Sequence, residues 1–417
     1  MVLAVTTLST ILFSIVVFLI IILLLVLLLL FARDKLLPKG DVKLQINDRE
    51  LVVLPGGNLL STLSGSGIYL PSACGGGGTC GMCRCQIISG GGSILPTEVG
   101  FFTRKEQHDN WRLGCQVKIR EDMIIRLPES VLGIRKWECE VVSNNNVATF
   151  IKEFVVKLPV GEELNFEPGG YIQIDVPKYE TSFRNFDIED KFRSDWDKYK
   201  MWDLRVKNTS ETYRAYSMAN YPAEKNLIKL NIRIATPPWD NVRKEFMNVP
   251  PGICSSYIFS LKKGDKVIIS GPYGEFHIKD TPNEMVYIGG GAGMAPLRSH
   301  IFHLFHTLKT VRKVSYWYGA RSLREVFYED EFRAIEKSYN NFRFHLALSE
   351  PLPEDNWKGP TGFIHQVLFD NYLSRHEEPE DIEYYFCGPP VMNNAVVKML
   401  DSLGVPQENI SFDDFGI

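Results

Sequence analysis

Three cysteines within ten residues are the strongest chemical signal in the sequence. Cys74, Cys80 and Cys83 lie in the stretch CGGGGTCGMC, and a fourth cysteine, Cys115, follows Cys83 after 31 intervening residues. Thiolates are the usual ligands of iron–sulfur clusters, and a cluster with four ligand positions needs four of them. The run of glycines favours a loop that wraps closely around an inorganic core, because glycine adopts φ > 0 and leaves backbone N–H groups free to point at sulfur.

The C-x5-C-x2-C spacing with a distant fourth cysteine resembles that of [2Fe–2S] ferredoxin domains, which implies Cys74, Cys80, Cys83 and Cys115 as the cluster ligands. Zinc binding and a disulfide are the alternatives. Zinc sites usually combine two C-x2-4-C pairs or add histidines, and disulfides need an oxidising compartment. Cys85 is a possible substitute ligand, although its place in the strand pattern CQII favours a packed side chain.

A long apolar stretch precedes the cysteines. Residues 1–32 carry no charged side chain, and Ile11–Ala32 is almost uninterruptedly apolar. As a helix, this stretch rises roughly 33 Å, enough to cross a hydrocarbon core of about 30 Å. It lacks the basic start and small-residue exit of a cleaved signal peptide. Because basic residues follow it and none precedes it, the positive-inside rule predicts a single-pass, N-out anchor with the remaining chain in the cytoplasm.

Length, charge and composition exclude several classes of protein. A chain of 417 residues predicts two to four domains. The net charge of −4 gives no basic footprint for nucleic acid, so we expect no nucleic-acid partner. Eight cysteines are too few for a disulfide scaffold of this length.

A second group of residues is suited to binding a flavin. In RAYS, Arg214 can pair with a pyrophosphate, Tyr216 can stack on a ring, and Ser217 can donate a hydrogen bond to the flavin's reactive nitrogen. Gly252 and Ser255 stand at a turn where backbone N–H groups can meet a phosphate. The order of RAYS, GICSS and GPYGEF resembles the flavin domain of the ferredoxin–NADP reductase superfamily.

The segment EMVYIGGGAGMAPLRSHIFHLF indicates a buried strand, a glycine turn and a helix, which is typical of dinucleotide binding. Ligands bind at the carboxyl ends of parallel strands, so Gly291, Arg321 and Cys387 are expected to converge. C-G-P-P-x-M also resembles the superfamily, in which that cysteine lies beside the nicotinamide ring. We expect NADH rather than NADPH, because Arg321 is followed by acidic residues rather than by a basic cluster. The predicted NADH-binding residues are Gly290, Gly291, Gly293, Arg321, Cys387, Gly388 and Pro389.

Several other residues invite a chemical role. The chain ends SFDDFGI, and in the superfamily an aromatic residue near the C-terminus covers the flavin, which implies this role for Phe415. His300, His303 and His306 share one helix face, but they have no carboxylate beside them, so packing is favoured over metal binding. Cys139 and Cys254 are also interpreted as packed residues.

These patterns predict a multidomain protein with a parallel-sheet α/β domain at its end. The segments VKLQIN and ELVVLP around Asn47-Asp48 indicate a hairpin, and the later order of elements resembles the β-grasp layout of ferredoxins. The expected parts are a transmembrane anchor (1–33), an α+β β-grasp [2Fe–2S] ferredoxin domain (38–130), an all-β antiparallel FAD-binding barrel (131–282) with an insert (178–211), and a nicotinamide-binding domain (283–417).

The modules form an electron-transfer series, from two-electron donation by NADH through FAD to a one-electron [2Fe–2S] cluster. With the leading helix, the insert and the terminal FDDFG, the chain resembles the NADH-oxidising entry subunit, designated F, of the sodium-translocating NADH:quinone reductases. That resemblance implies an NADH-oxidising component of a bacterial inner-membrane complex, which passes electrons to partner membrane subunits and indirectly to quinone. It also implies that Ser217, Cys387 and Phe415 are catalytic. The alternatives are a membrane-tethered NADH-dependent reductase of an oxygenase system and a non-enzymatic iron–sulfur anchor or sensor.

Overall fold

The structure is a computed structural model that describes residues 2–36, 40–240 and 242–414. It divides into two compact units, the first made of Met1–Leu70 and Gly81–Leu132, the second of Pro71–Cys80 and Gly133–Ile417. Phe415, for which a role in covering the flavin is implied above, lies outside the described residues.

The first unit begins with the helix α1 (Val2–Leu36). Its segment Phe13–Phe31 is long and apolar enough to cross a membrane, and none of that segment is buried inside the protein. Leu, Ile and Val cover every face of the helix, so the segment has no polar side to turn towards water. A lipid environment is the physical reason for such a surface.

A five-stranded mixed sheet forms the rest of the first unit. Its strand order is β2-β1-β5-β3-β4, and β1 and β5 run parallel, as in a β-grasp domain. Asn47 occupies the β1–β2 turn with φ 49°, and its amide group exchanges two hydrogen bonds with the backbone of Leu127. The elements are β1 (Val42–Ile46), β2 (Arg49–Val53), α2 (Leu59–Gly65), β3 (Arg84–Ser89), α3 (Arg104–His108), β4 (Trp111–Leu113), β5 (Met123–Arg126) and α4 (Glu129–Leu132).

The second unit contains an antiparallel barrel. Its six main strands follow the order β11-β8-β15-β6-β7-β12, and a bridge between Met218 and Leu230 joins the two ends. The elements are β6 (Arg135–Ala148), β7 (Ile151–Lys157), β8 (Tyr171–Val176), β9 (Tyr179–Ser182), α5 (Asp190–Lys198), β10 (Arg205–Asn208), β11 (Thr212–Ser217), β12 (Leu227–Arg233), β13 (Trp239–Asp240), β14 (Glu245–Phe246), α6 (Ile253–Ser260) and β15 (Lys266–Tyr273).

The insert after β8 is an ordered part of this barrel unit. β9 and β10 pair as an antiparallel ribbon, and α5 lies between them in the chain. Phe192 and Trp196, four residues apart on one helix face, are fully buried in the barrel core. The indole N–H of Trp196 donates to the carbonyl of Thr149 at 2.9 Å. The aromatic residues of the insert therefore pack on the body of the protein.

A parallel sheet completes the second unit, with the order β18-β17-β16-β19-β20. Its last strand, β20, for which the sequence analysis predicted no element, pairs in parallel with β19, and Phe412 stacks on Phe386 with ring centroids 5.0 Å apart. The elements are β16 (Met285–Gly290), α7 (Met294–Phe302), β17 (Val314–Ala320), α8 (Glu329–Ser338), β18 (Phe342–Leu348), α9 (Ile364–Asn371), β19 (Glu383–Cys387), α10 (Pro390–Ser402) and β20 (Ile410–Asp413).

Candidate cluster ligands and active site

The glycines between the first cysteines have a conformational reason. Gly75, Gly76, Gly78 and Gly81 have φ values of 66°, 88°, 77° and 71°, a region that other residues avoid. Space is a second reason. A Cβ atom at Gly75 would lie 2.5 Å from the Arg214 guanidinium and 2.9 Å from the Tyr213 carbonyl oxygen. The loop therefore needs glycine both to turn and to approach β11 in the second unit.

The four predicted cluster ligands form two close pairs, one in each unit. The Sγ atoms of Cys74 and Cys80 are 3.3 Å apart, and the hydrogen bond from the Cys80 thiol is the main cause that lowers the pKa of Cys74 to about 3. Cys83 is buried, and its Sγ accepts a hydrogen bond from the Cys115 N–H at 3.5 Å. All four thiols are free of disulfides. Thiols that form no disulfide, a thiolate-favouring setting at Cys74 and a glycine loop fit an iron–sulfur cluster.

Cys85 has a different environment from these four residues. Its side chain is fully buried in β3, and its thiol donates to the Arg112 carbonyl oxygen at 3.6 Å. Burial raises the pKa of Cys85 to about 12, which disfavours the thiolate that metal binding requires. Burial likewise raises the pKa of Cys139 to about 12 and that of Cys254 to about 11. These environments favour packing roles.

The residues predicted to bind a flavin lie on β11 and at the start of α6. Arg214 Nη1 donates to the carbonyl oxygen of Tyr213 at 2.7 Å, which fixes the guanidinium. Gly252 is the N-cap of the eight-residue α6 and provides no side-chain cap, so the first-turn N–H groups remain available to an anion. Ser255 Oγ accepts a hydrogen bond from Ala235 N at 3.1 Å and so holds the helix start against the end of β12. A cation and an uncapped helix start are compatible with a pyrophosphate.

Ser217, at the end of β11, has a partner that the sequence reasoning missed. Its hydroxyl donates to Asp413 Oδ2 at 2.6 Å, although the two residues are 196 positions apart. Burial is the main cause that raises the pKa of Asp413 to about 6, Asp414 adds to the shift, and the hydrogen bond from Ser217 opposes it. Asp413 is also the register partner of Cys387. Two residues predicted separately, Ser217 and Cys387, thus share Asp413 as a neighbour.

The predicted nicotinamide-binding residues lie at the carboxyl edge of the parallel sheet. Gly290 ends β16, and Cys387 ends the neighbouring β19. Gly291 has φ 57°, and a Cβ atom on Gly293 would lie 2.0 Å from the Cys387 carbonyl oxygen. Only glycine therefore lets this turn approach Cys387. The thiol of Cys387 is fully buried, and burial is the first cause that raises its pKa well above the usual value.

Gly388, Pro389 and Arg321, which were also predicted to bind NADH, follow the ends of strands at this edge of the sheet. Gly388 and Pro389 connect Cys387 to α10, and a Cβ atom on Gly388 would lie 2.3 Å from Met392 Cε. Arg321 directly follows β17 and pairs with Glu325 at 3.7 Å. A second cation of this loop, Arg324, was not considered in the sequence reasoning.

The three histidines predicted to share a helix face lie at the end of α7 and in the turns that follow it, where their side chains are packed rather than metal-binding. His300 is fully buried, with Nε2 3.0 Å from the Phe276 carbonyl oxygen and 3.2 Å from that of Pro168. Burial lowers the pKa of His300 to about 4, and it also lowers the pKa values of His303 and His306. His300 therefore joins α7 to the barrel as a neutral ring.

Three family models match successive parts of the chain. They are described as a 2Fe-2S iron-sulfur cluster binding domain (residues 42–120), an oxidoreductase FAD-binding domain (189–278) and an oxidoreductase NAD-binding domain (287–398). The chain therefore has domains for a [2Fe–2S] cluster, FAD and NAD.

Known relatives match nearly the whole chain. The Na(+)-translocating NADH-quinone reductase subunit designated F in Idiomarina loihiensis is 56% identical over 390 residues, which cover 93% of this chain and 94% of that protein. This chain belongs to that family of Na(+)-translocating NADH-quinone reductase subunits. The family member of the same name in Pseudomonas aeruginosa strain PAO1 is 55% identical over 388 residues, with the same coverage of both chains. Family membership and the apolar α1 together make this a membrane-anchored protein.

Solved structures share the fold of this reductase component. The Amycolatopsis cytochrome P450 reductase GcoB matches with a TM-score of 0.63 and 24% identity, covering 90% of this chain and 98% of that chain. A ferredoxin reductase in carbazole 1,9a-dioxygenase matches with a TM-score of 0.57 and 24% identity, covering 90% of this chain and 99% of that one. The predicted fold class, with ferredoxin, flavin and nicotinamide domains, is thereby confirmed.

Proposed function

We propose that this protein is the NADH-oxidising, electron-entry subunit of a membrane-bound, sodium-translocating NADH:quinone reductase. The observation that carries the proposal is the combination of three cofactor domains and an apolar, lipid-compatible helix in one chain, at 56% identity to a named component of such a reductase. When bound, FAD accepts two electrons from NADH and passes them singly to the [2Fe–2S] cluster.

The residues of β11 and α6 are proposed to bind and orient the flavin. Arg214 and the first-turn N–H groups of α6, from Gly252 to Ser255, would hold the pyrophosphate. Tyr216 would stack on a ring, while the Ser217 hydroxyl would face the reactive edge of the flavin. Asp413 accepts a hydrogen bond from the Ser217 hydroxyl at 2.6 Å. It would hold that hydroxyl in place and supply a carboxyl group able to take up a proton.

The carboxyl edge of the parallel sheet is the proposed NADH site. Backbone groups of the turn at Gly290, Gly291 and Gly293 would contact the pyrophosphate, with Arg321 towards the ribose. Cys387, followed by Gly388 and Pro389, would lie beside the nicotinamide ring, where its burial keeps water away. Phe415 is proposed to cover the flavin until the nicotinamide enters.

Cys74, Cys80, Cys83 and Cys115 are the proposed cluster ligands. The loop with Cys74 and Cys80 belongs to the same compact unit as β11, and Gly75 allows its backbone to approach Arg214 closely. This proximity supports electron transfer from the flavin to the cluster. A cluster held by these four cysteines would supply one-electron transfer towards partner membrane subunits and, through them, quinone. The location that follows is a bacterial inner membrane, with the cofactor domains on the cytoplasmic side and the helix in the bilayer.

A direct test uses the purified full chain in detergent with its cofactors bound. We expect NADH oxidation with ferricyanide or a soluble quinone as acceptor. Cys74→Ala should abolish the cluster's spectroscopic signal while NADH still reduces the flavin, because Cys74 is not among the residues proposed to hold the flavin or NADH. Failure of the wild-type chain to oxidise NADH contradicts the enzyme assignment. Co-purification from membranes tests the partners, since an oxygenase instead of quinone-reductase subunits would favour the alternative function.

A further inference from the structure

Two arginines occupy the position where this type of sheet receives a dinucleotide's ribose. Arg321 and Arg324 both lie in the loop that follows β17. At the corresponding place in dinucleotide-binding sheets, a carboxylate favours the 2′-hydroxyl of NADH, whereas an arginine accommodates the 2′-phosphate of NADPH. By composition alone, two arginines would favour NADPH over the NADH proposed above. In the structure, however, carboxylates pair with both arginines, which makes the loop compatible with NADH.

Arg324 is held by carboxylates from two different parts of the second unit. Its Nη1 donates to Asp195 Oδ2 at 3.0 Å, and its Nη2 lies 3.5 Å from Glu354 Oε1. The side chain of Arg324 is 28% exposed, so solvent and ligands can still reach it. Asp195 belongs to α5, in the insert for which the sequence indicated no function. The insert therefore places an anion on a cation of the ribose loop.

Burial and hydrogen bonds hold the insert, and with it Asp195, in place beside the ribose loop. Trp196, next to Asp195, is fully buried in the barrel core, and its indole N–H donates to the Thr149 carbonyl oxygen at 2.9 Å. The Thr149 N–H in turn donates to Glu325 Oε2 at 3.2 Å, and the Thr149 hydroxyl donates to the other oxygen of the same carboxylate. One hydrogen-bonded chain thus runs from α5 through the barrel to the ribose loop.

Carboxylates outnumber the arginines around the loop. Glu325 pairs with Arg321 at 3.7 Å. Burial and the charge of Arg321 lower the pKa of Arg233, a neighbouring residue of β12, and Glu325 opposes that shift. Three arginines are therefore met by four carboxylates, because Asp355 Oδ2 also accepts a hydrogen bond from the Leu323 N–H of the loop at 3.1 Å. The arginines are Arg233, Arg321 and Arg324, and the carboxylates are Asp195, Glu325, Glu354 and Asp355. A 2′-phosphate carries between one and two negative charges at neutral pH, so its arrival would leave carboxylates facing an added anion.

We propose that the insert selects NADH over NADPH: Asp195 of α5, assisted by Glu354, withholds Arg324 from a 2′-phosphate. The inference rests on the NADH-oxidising function proposed above and assigns its coenzyme specificity. Asp195→Asn combined with Glu354→Gln preserves size and removes both charges from Arg324. We expect the ratio of kcat/KM for NADPH to that for NADH to rise at least about tenfold, the effect of one charge-assisted hydrogen bond.

Two variants serve as controls. Asp190→Asn removes a carboxylate from the same helix, but Asp190 is fully exposed and pairs only with Arg193 among the described residues, at 3.3 Å. It should leave the coenzyme ratio unchanged. Adding Arg324→Ala to the double variant should return the ratio to the wild-type value, because the gain depends on the released guanidinium.

A binding measurement separates specificity from damage to catalysis. NADP+ titrated into the full chain in detergent should bind the double variant about tenfold more tightly than the wild type. An unchanged ratio and an unchanged NADP+ affinity, at a native melting temperature, overturn the inference. If the double variant does not fold, Glu354→Gln alone, at a side chain 63% exposed, should raise the ratio about threefold, and no change overturns the inference. A wild-type chain that does not oxidise NADH contradicts the proposed function, while the NADP+ titration still decides this inference.

Discussion

A buried ion pair beside the cluster ligands offers the sharpest test of what holds the ferredoxin domain together. Glu98 and Arg112 are joined at 2.9 Å, with side chains 0% and 4% exposed. The Glu98 carboxylate also accepts hydrogen bonds from the N–H groups of Leu113 and Leu95. Arg112 Nη1 donates to the carbonyl oxygens of Gly91 and Gly92. The pair thus ties β4, which leads to Cys115, to the long connection between β3 and α3.

Glu98→Gln leaves Arg112 as a buried cation without a counter-charge and turns an amide donor towards N–H groups. Removing one partner of a buried pair costs about 3–5 kcal/mol, a large share of a domain stability of about 5–15 kcal/mol. With a urea m-value of about 2 kcal/mol/M, the unfolding midpoint should fall by roughly 2 M. Because β4 leads to Cys115, the urea midpoint for loss of the cluster's visible absorbance should shift by a similar amount.

A matched control is available in the same domain. Glu106 pairs with Arg84 at 3.0 Å on the surface, and glutamine preserves the capping box that Glu106 forms with Thr103. Because ion pairs at the surface contribute little to stability, the urea midpoint of Glu106→Gln should move by less than about 0.5 M. Equal shifts for Glu98→Gln and Glu106→Gln, or no shift in Glu98→Gln, would refute the buried-pair reasoning.

Two further predictions concern the cysteines and the active-site carboxyl group. Cys85→Ala should retain the [2Fe–2S] spectrum, because the buried Cys85 thiol resists ionisation and is not expected to be a ligand. Cys115→Ala should lose the spectrum. The reverse result shows that Cys85 is a ligand. Asp413 has a folded-state pKa of about 6, above the ordinary value of about 3.9, so the folded protein binds more protons in that range. Wild-type stability should therefore fall relative to Asp413→Asn as pH rises from about 4 to 6 and then stay level. A difference in melting temperature that does not vary with pH contradicts the raised pKa.

Much of the architecture was predictable because its signals are local. The hairpin around Asn47, the apolar helix and the glycine turn at Gly291 each depend on residues within a few positions of one another. The structure has a hairpin, a helix and a turn at these places. Short elements that depend on distant contacts were not predicted, and β20 is an example. The strand β20 is only four residues long, and its burial against β19 comes from a distant part of the chain.

The sequence by itself determined the domain order, the cofactor classes and the candidate cysteines, because spacing and composition carry that chemistry. Tertiary structure decided which residues meet. Ser217 reaches Asp413 across 196 positions, and Arg324 reaches Asp195 across 129. Serine, aspartate and arginine are common on protein surfaces, so no local pattern marks such partners. Only the closed barrel, the parallel sheet and the insert packed against them bring these charges together.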